Sequence, residues 1–435
     1  MSRNAALAAI IIIIIIIAGA AWALMRGGGG GGGGGEQVGT ITIGMSISLT
    51  GKFQDEGHQA LCGALAAVNW YNKHGGITVG GKTYKLKLIY YDDQSQRDRV
   101  QSVYTKLITS DHAQFLLAPY SSGLTSAAAS IAEQYKIVMI SHGGASDAIF
   151  EKGYHYIVQV LTPASKYFAS SLEIVKENVP DAKIAFIWES SEFSKSVIKG
   201  AAQKAQELGL QVVYNQSYPK GTTDFTPYVQ QAMQAGANVL IGGGHFDDGQ
   251  HLISTAKNLG WKLKFISILV APAQPNFPDA VGEDAAIGVA APAQWAPSVN
   301  YSPDNVPSGY TWAGPTTDEW LSEFQNLTKN YKDCQGIEAP AYQAAEAGAS
   351  IVFLVEAIKK ANSLDSTAVR DAMNDLALYT FFGKLKIDPQ TGKQVAHEMV
   401  VIQWQKINGE LKLVVVYPPE VAEAQPLIAP PNWWS

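Results

Sequence analysis

The stretch AQFLLAPYSSGLTSAAASIAEQYKIVMIS, residues 113–141, has the pattern of a strand, a helix and a second strand in immediate succession. Its first apolar run stops at Pro119, hydroxyl-bearing residues follow, and small helix-forming residues continue to about residue 135. The second run, 137–141, is again rich in apolar and β-branched residues. Such a unit is typical of two parallel strands joined by a right-handed helical crossover. It therefore predicts an α/β protein with a parallel sheet.

The same alternation of strands and helices extends in both directions from this unit. Predicted strands lie at 40–47, 84–92, 113–119, 137–141 and 156–160, then at 183–188, 211–218, 238–244, 263–269 and 285–291. Two consecutive series of strands predict two lobes, each a doubly wound parallel sheet covered by helices on both faces. A single eight-fold barrel does not fit, because the alternation stops after residue 291.

The remainder of the chain predicts a return to both lobes. A segment rich in proline and aromatic residues, 292–316, precedes three helices in succession, and strand patterns return only at 384–417. The predicted organisation is an N-terminal signal or anchor at 1–26, a glycine-rich tether at 27–39, lobe one at 40–160 and 296–381, lobe two at 161–295 and 382–420, and a C-terminal tail at 421–435.

Composition and charge argue against several functional classes. The chain has 435 residues, a formal net charge of -6 and no basic stripe, which argues against nucleic acid as a partner. Its two cysteines, Cys62 and Cys334, are too few for a disulfide-dense scaffold or a cysteine-rich metal site; they either form one bridge or remain two buried thiols. We find no Gly-x-Ser-x-Gly nucleophile motif and expect no enzymatic activity, no cofactor and no metal site.

The N-terminal segment predicts a location outside the cytoplasm. Ala5 to Met25 is an uncharged stretch of 21 residues, which as a helix would be about 31 Å long and match a bilayer. It is either a retained membrane anchor or a cleaved signal peptide, since Ala21-Trp22-Ala23 resembles a cleavage site. The glycine run Gly27 to Gly35 favours retention, because a flexible tether needs an attachment at both ends.

Small polar residues follow the predicted strands at positions where α/β sheets bind ligands, namely the carboxyl ends of parallel strands. Ser121, Ser122 and Thr125 stand at the start of a helix, where hydroxyls and free backbone N–H groups suit a small anion. The next strand ends in SHGGASD, 141–147, where glycines permit close approach of a ligand. Helix capping and ordinary turns are the alternatives for these residues.

Several stretches together resemble the branched-chain amino-acid (Leu/Ile/Val) solute-binding proteins of ABC importers. They are LTGKF (49–53), NKHGGI (72–77), DDQS (92–95), the paired loops within 118–147, APAYQAAEAGASIVFLVEAIKKANSLD (339–365) and TFFGKLKIDPQTGKQ (380–394). The resemblance covers nearly all of residues 40–417. It implies a type I periplasmic-binding-protein fold, in which two lobes close on a small ligand by bending at three crossings, here near 160–163, 291–295 and 381–385.

The resemblance also implies a ligand site and a partner. The hydroxyl loop and the glycine loop would hold the carboxylate and ammonium of an amino acid, with aromatic walls from the second lobe and the crossings. The implied ligand-binding residues are Tyr120, Ser121, Ser122, Thr125, Gly143, Gly144, Ala145, Ser146, Phe193, Phe246, Asp247 and Trp295. The implied partners are a small-molecule ligand, ABC permease subunits and, through the N-terminal helix, the membrane. A sensor that presents its ligand to a membrane receptor is the alternative function.

Two departures from the family pattern leave the ligand undecided. Phe193 stands where relatives often place a tyrosine, so the aromatic wall is kept and a hydroxyl is lost. Branched-chain binders also tend to carry an acid after the strand that corresponds to 263–269, but VAPAQ, 270–274, contains none. Asp247, Asp248 or Glu56 are possible replacements, and a ligand without an ammonium group, such as an amide, urea or a carboxylic acid, is the alternative.

Overall fold

The computed structural model describes residues 38–429, and the expected N-terminal anchor and tether lie outside the described residues. Within 38–429, no helix is both long and apolar enough to cross a membrane. The strands are β1 (Gly39–Ile47), β2 (Ile77–Val79), β3 (Lys82–Asp92), β4 (Phe115–Leu117), β5 (Met139–Ser141), β6 (Ile157–Gln159), β7 (Lys183–Glu189), β8 (Gln211–Tyr218), β9 (Val239–Gly243), β10 (Phe265–Ile268), β11 (Val289–Ala293), β12 (Thr311–Trp312), β13 (Leu378–Thr380), β14 (Gly383–Leu385), β15 (Val400–Ile407) and β16 (Glu410–Tyr417).

Helices separate most of these strands. They are α1 (Gln54–Lys73), α2 (Arg97–Thr109), α3 (Ser122–Tyr135), α4 (Asp147–Phe150), α5 (Ala169–Asn178), α6 (Glu192–Glu207), α7 (Thr226–Gln234), α8 (Phe246–Asn258), α9 (Phe277–Val281), α10 (Glu283–Ala286), α11 (Thr317–Asn330), α12 (Tyr342–Ala361) and α13 (Ser366–Met373). The predicted strand–helix alternation is therefore observed. The strand expected at 285–291 is displaced, because 283–286 form a helical turn and the strand begins at Val289.

Two large sheets divide the elements into two lobes. The first lobe is built on the order β2-β3-β1-β4-β5-β6, and the second on β16-β15-β11-β10-β9-β7-β8. Pairing is parallel in the centre of each sheet, whereas β2, β15 and β16 add antiparallel edges. A third, small sheet, β12-β13-β14, belongs with the first lobe, because its strands pack in the same hydrophobic core as α11 and α12. The α/β class and the two doubly wound lobes agree with the sequence prediction.

Burial on both sheet faces explains why the central strands are almost uninterrupted apolar runs. In β7 and β9 every residue except Lys183 and Trp188 is buried. The second-lobe sheet has one apolar cluster on each face, one including Phe186 and the other Ile187. Parallel strands covered by helices on both faces lose the in-out alternation of a half-exposed sheet.

The chain passes between the lobes at three adjacent segments. Thr162 lies just after β6, Gln294 just after β11, and His397 just before β15. The amide of Thr162 donates a hydrogen bond to Oε1 of Gln294 (2.9 Å), and the Thr162 hydroxyl lies 2.8 Å from Nδ1 of His397. All three side chains are buried. The segments that join the lobes are thus held together by one polar cluster.

The third crossing lies later in the chain than the expected 381–385. Residues 383–385 form β14 and pair with β13, and Gln394 still bonds to the carbonyl of Val160 (2.8 Å). The chain enters the second-lobe sheet only at Val400. Residues 382–399 therefore extend the first lobe and the crossing, and the boundary expected at 382 is corrected accordingly. Residues 421–429 pack on the second lobe, where Leu427 donates a hydrogen bond to Gln403.

Contact between α1 and α12 fixes the position of the later helices on the first lobe. An added Cβ at Gly63 would lie 1.9 Å from the carbonyl oxygen of Ala344, so only glycine permits this helix spacing. The indole of Trp320 donates to the carbonyl of Gly63 (3.2 Å).

Cys62 and Cys334 form a disulfide bond, with a Cα–Cα distance of 5.8 Å, which decides between the two alternatives left by the sequence.

Candidate functional site

The carboxyl ends of the two sheets face each other across a narrow cavity of about 10 Å³, which is room for about one water molecule. The loops after β4 and β5 approach it from the first lobe, and the segments after β7 and β9 approach it from the second. Helix α12 and the segment after the first crossing complete the wall. The lining residues are Tyr120, Ser121, Gly143, Leu161, Tyr167, Phe193, His245, Tyr342 and Glu346. This is the position in which open α/β sheets bind their ligands.

The three hydroxyls of the predicted anion cradle have different roles. Thr125 donates to the carbonyl of Pro119 (2.7 Å), and the Ser122 hydroxyl accepts from the amide of Ser146 (3.0 Å). Both hydroxyls therefore hold the two loops in place. Ser121 lines the cavity at the N-terminus of α3 and makes no capping hydrogen bond with its side chain. Of the three residues, only Ser121 lines the cavity.

The glycine loop is packed closely against the hydroxyl loop. An added Cβ at Gly143 would lie 2.6 Å from the ring of Tyr120, and one at Gly144 would lie 2.6 Å from Thr125. Gly143 lines the cavity, whereas Gly144 and the buried Ala145 lie behind it. The hydroxyl of Ser146 is buried and has no hydrogen-bond partner within 38–429. The two loops thus form one unit, as their sequence suggested.

Aromatic rings from both lobes close the cavity. Phe193, at the start of α6, packs edge-on against Tyr167 with ring centres 5.2 Å apart. His245 lies 5.7 Å from the ring of Phe193 and 5.8 Å from that of Tyr120. Tyr342 of α12 is also buried at the cavity. Such rings suit apolar groups and, through their electron-rich faces, cations.

Glu346 supplies a buried carboxylate to this aromatic enclosure. It lies one helical turn after Tyr342 on α12, so both side chains project from the same face of the helix. Glu346 is 1% exposed, and neither of its carboxylate oxygens has a hydrogen-bond partner within the described residues. Burial raises the pKa of Glu346 well above its usual range. A buried carboxylate without a partner is costly unless it is protonated or a ligand brings a donor.

Glu56 is a second buried acid beside the cavity. It is fully buried on α1, and burial raises its pKa to about 8. Its Oε1 lies 3.9 Å from Nδ1 of His245, which is beyond hydrogen-bonding distance. Burial lowers the pKa of His245 to about 3, so this ring is neutral near pH 7 and does not compensate the acid. In the part of the chain that the structure describes, neither carboxylate oxygen of Glu56 has a side-chain partner.

An ion-pair cluster joins the lobes next to His245. Lys52 of the first lobe contacts Glu189 and lies 2.9 Å from Asp248, both on the second lobe. Burial alone would lower the pKa of Lys52, but the two carboxylates outweigh it and raise that pKa. Burial likewise opposes ionisation of Glu189, yet the nearby charge of Lys52 keeps the pKa of Glu189 below the usual value. This cluster holds the lobes in contact in the closed arrangement.

Eight of the twelve predicted residues lie outside the cavity lining: the loop residues Ser122, Thr125, Gly144, Ala145 and Ser146, and the more distant Phe246, Asp247 and Trp295. Phe246 packs in the second-lobe core, and Asp247 is exposed. The indole of Trp295 donates to the carbonyl of Phe381 (2.9 Å) and stacks edge-on against Trp320, so it belongs to the first-lobe core. The segment after the second crossing enters that core instead of reaching the ligand site.

Several residues around the site were not predicted from the sequence. Tyr167 and Leu161 carry no local signal, because only the crossing brings them to the cavity. Glu346 does carry a signal: it is a single acid within a run of small and apolar residues, 344–355, that a helix buries on all sides. An acid in such a run predicts a functional side chain, since ionisable residues are seldom fully buried without a partner.

Comparisons with known proteins place these features in a family. A family model described as periplasmic binding protein matches residues 40–410. The Leu/Ile/Val-binding protein homolog 1 of Brucella abortus is 26% identical over 367 residues, which cover 84% of this chain and 91% of the relative.

Solved structures share the fold at lower identity. The branched-chain amino acid transporter substrate binding protein of Streptococcus pneumoniae, in complex with isoleucine, is 19% identical with a TM-score of 0.70, covering 87% of this chain and 100% of that one. An ABC transporter solute binding protein of R. palustris, in complex with 4-hydroxybenzoate, is 19% identical with a TM-score of 0.71, covering 91% and 98%.

Proposed function

The chain belongs to the periplasmic binding protein family, and from this premise we propose that it captures a small solute between its lobes and delivers it to an ABC permease. The observation that carries the proposal is the cavity between the lobes, because residues of both lobes line it. A ligand that contacts both lobes at once stabilises their closed arrangement, which is the form that a permease would recognise.

The relatives suggest the class of solute. One is named for leucine, isoleucine and valine, one structure holds isoleucine and another holds 4-hydroxybenzoate. The proposed ligand of this chain is accordingly a small amphipathic molecule, with branched-chain or other amino acids as the first candidates. Its carboxylate would accept hydrogen bonds from the Ser121 hydroxyl and from backbone amides at the start of α3, while its apolar part would contact Phe193 and Tyr167.

Thermal-shift measurements over a panel of amino acids, amides, urea and carboxylates test this proposal. A ligand present at 100 times its dissociation constant adds about 2.7 kcal/mol of stability. For a carboxylate-bearing hit, Ser121→Ala should weaken binding about tenfold, because a hydrogen bond to a charged group is lost. Ser130→Ala, on the same helix but away from the cavity, is the matched control. A panel without any stabilising ligand would refute solute capture.

The location proposed is outside the cytoplasm, with the N-terminal segment as a membrane anchor. The uncharged segment Ala5 to Met25 and the glycine run that follows it support this part of the proposal. External protease on intact cells should release a large fragment cut within the glycine run. A mature protein whose sequence begins at or after Trp22 would replace the anchor with a cleaved signal.

A further inference from the structure

We propose that the ligand of this site must carry a positively charged nitrogen, that Glu346 is the side chain that binds it, and that a ligand carboxylate is dispensable. This inference rests on the proposed function and specifies its substrate class: amines and amino acids, as opposed to amides, urea or plain carboxylates. In this proposal, Glu346 of helix α12 takes the role of the acid that is absent at 270–274.

The first support is the environment of Glu346. Its carboxylate lines the cavity, is almost completely buried, and has no hydrogen-bond partner among the described residues. Tyr342, Tyr167, Tyr120 and Phe193 belong to the same lining, and the first three lie close enough for the charge of Glu346 to add to burial in raising the pKa of their hydroxyls. A carboxylate surrounded by aromatic rings is the arrangement that proteins use for amines and quaternary ammonium groups, since the ring faces add cation–π attraction.

The second support is the charge around the cavity. Among the described residues, the buried acid Glu346 has no hydrogen-bond partner and the buried acid Glu56 has no side-chain partner, whereas the charge of Lys52 is already shared between Glu189 and Asp248. Among the described residues that line the cavity there is no lysine or arginine. An anionic ligand would therefore find no cation in this lining and only hydroxyl and amide donors to bind it. A cationic group supplies the missing partner and favours the ionised form of the acid, which burial alone disfavours.

The third support is a larger acidic cavity between the same lobes. Asp55 and Glu338 from the first lobe and Asp279 from the second line it, and no lysine or arginine is among its described lining residues. Asp247 of the second lobe lies close enough to Asp55 to add to burial in raising the pKa of Asp55. Like charges that face each other across the cleft raise the local concentration of cations and disfavour anions.

A shape-matched ligand series tests the inference by calorimetry on the purified full chain. L-leucine carries both charged groups, 3-methylbutylamine only the ammonium, and 4-methylpentanoate only the carboxylate; phenylalanine, 2-phenylethylamine and 3-phenylpropanoate form a second series. We expect each amine to bind within about tenfold of its amino acid, and each carboxylate at least 100-fold more weakly.

Variants identify the residue. Glu346→Gln should weaken the binding of the amino acids and amines about 100-fold, and it should leave the affinity for the carboxylates unchanged or increase it. Glu356→Gln, on the same helix but paired with Lys359 at the surface, should change nothing. The melting temperature of ligand-free Glu346→Gln should equal or exceed that of the parent, because an unpaired buried carboxylate is removed, so misfolding is recognised separately.

The outcomes separate this inference from the proposed function. Carboxylates or urea that bind as tightly as the amines, or amine affinities that Glu346→Gln leaves unchanged, would overturn the inference while solute capture stands. If no member of either series and no member of the wider panel bound, the proposed function would fail and this inference with it.

Discussion

Replacement of Lys52 by methionine tests whether the ion-pair cluster between the lobes stabilises closure. Methionine keeps most of the apolar stem and removes the charge. Glu189 and Asp248, whose side chains are 1% and 2% exposed in the closed arrangement, would then face each other without a cation. Asp248 accepts a hydrogen bond from the backbone of His245 (2.8 Å), but one Glu189 oxygen has no hydrogen-bond partner among the described residues.

The magnitude follows from the burial of the two acids. Removal of one partner from a buried ion pair costs about 3–5 kcal/mol, because the other charge remains desolvated. The Lys52 side chain is 23% exposed, so water already weakens the attraction and the lower end of that range applies. Opening of the lobes rehydrates both carboxylates, so the cost falls on closure and not on unfolding. A penalty of about 3 kcal/mol on closure corresponds to roughly 100-fold weaker ligand binding.

Calorimetry measures the affinity, and small-angle X-ray scattering measures the radius of gyration without ligand. We expect Lys52→Met to bind about 100-fold more weakly, to be more extended, and to melt within a few degrees of the parent. Replacement of Glu189 and Asp248 by their amides in the same variant should restore much of the affinity. Lys73→Met is the control, since Lys73 pairs with Glu323 within the first lobe. Unchanged affinity and dimensions in Lys52→Met would refute the reasoning.

Three further predictions concern stability. Burial raises the pKa of Glu56 from 4.5 to about 8, so between these pH values the native state binds a proton that the unfolded chain has released. The free energy of unfolding should therefore fall by several kcal/mol as the pH rises from about 5 to 8. Chemical denaturation at several pH values should show this fall, and Glu56→Gln should abolish it. Replacement of Cys62 and Cys334 by serine should cost about 2–5 kcal/mol in the same assay, and no change would mean that the bond does not form. Gly63→Ala should destabilise the fold by several kcal/mol through its clash with α12, whereas Gly123→Ala, with no atom within 4 Å of the added Cβ, should be neutral or stabilising.

Periodicity predicted the lobes well because it is a local property that the sheets preserve. The strand–helix–strand unit at 113–141 appears as β4, α3 and β5, and its loops meet the cavity where parallel strands end. The same reasoning placed the hydroxyl and glycine loops together, because neighbouring strands of one sheet were recognised. The sequence did not predict the different roles of the three hydroxyls. Pattern alone does not show that Thr125 and Ser122 bond to the backbone while Ser121 does not.

The residues that the sequence did not predict depend on contacts between distant segments. Tyr342 and Glu346 reach the cavity only because α12 packs on α1 at the spacing that Gly63 permits. Lys52 meets Glu189 and Asp248 across 137 and 196 positions of chain, a pairing that no local pattern encodes. The third crossing was placed too early because the sequence of β14 resembles the first strand of a return to the second lobe. The structure shows that β14 instead pairs with β13 in the first lobe.

A crystal structure of the protein with the tightest ligand of the panel would show which residues bind that ligand. We expect the ligand between Ser121 and Phe193, with its nitrogen within hydrogen-bonding distance of Glu346 and both lobes in contact with it. A ligand bound to one lobe only, or bound between the lobes with Glu346 still unpartnered, would contradict this expectation.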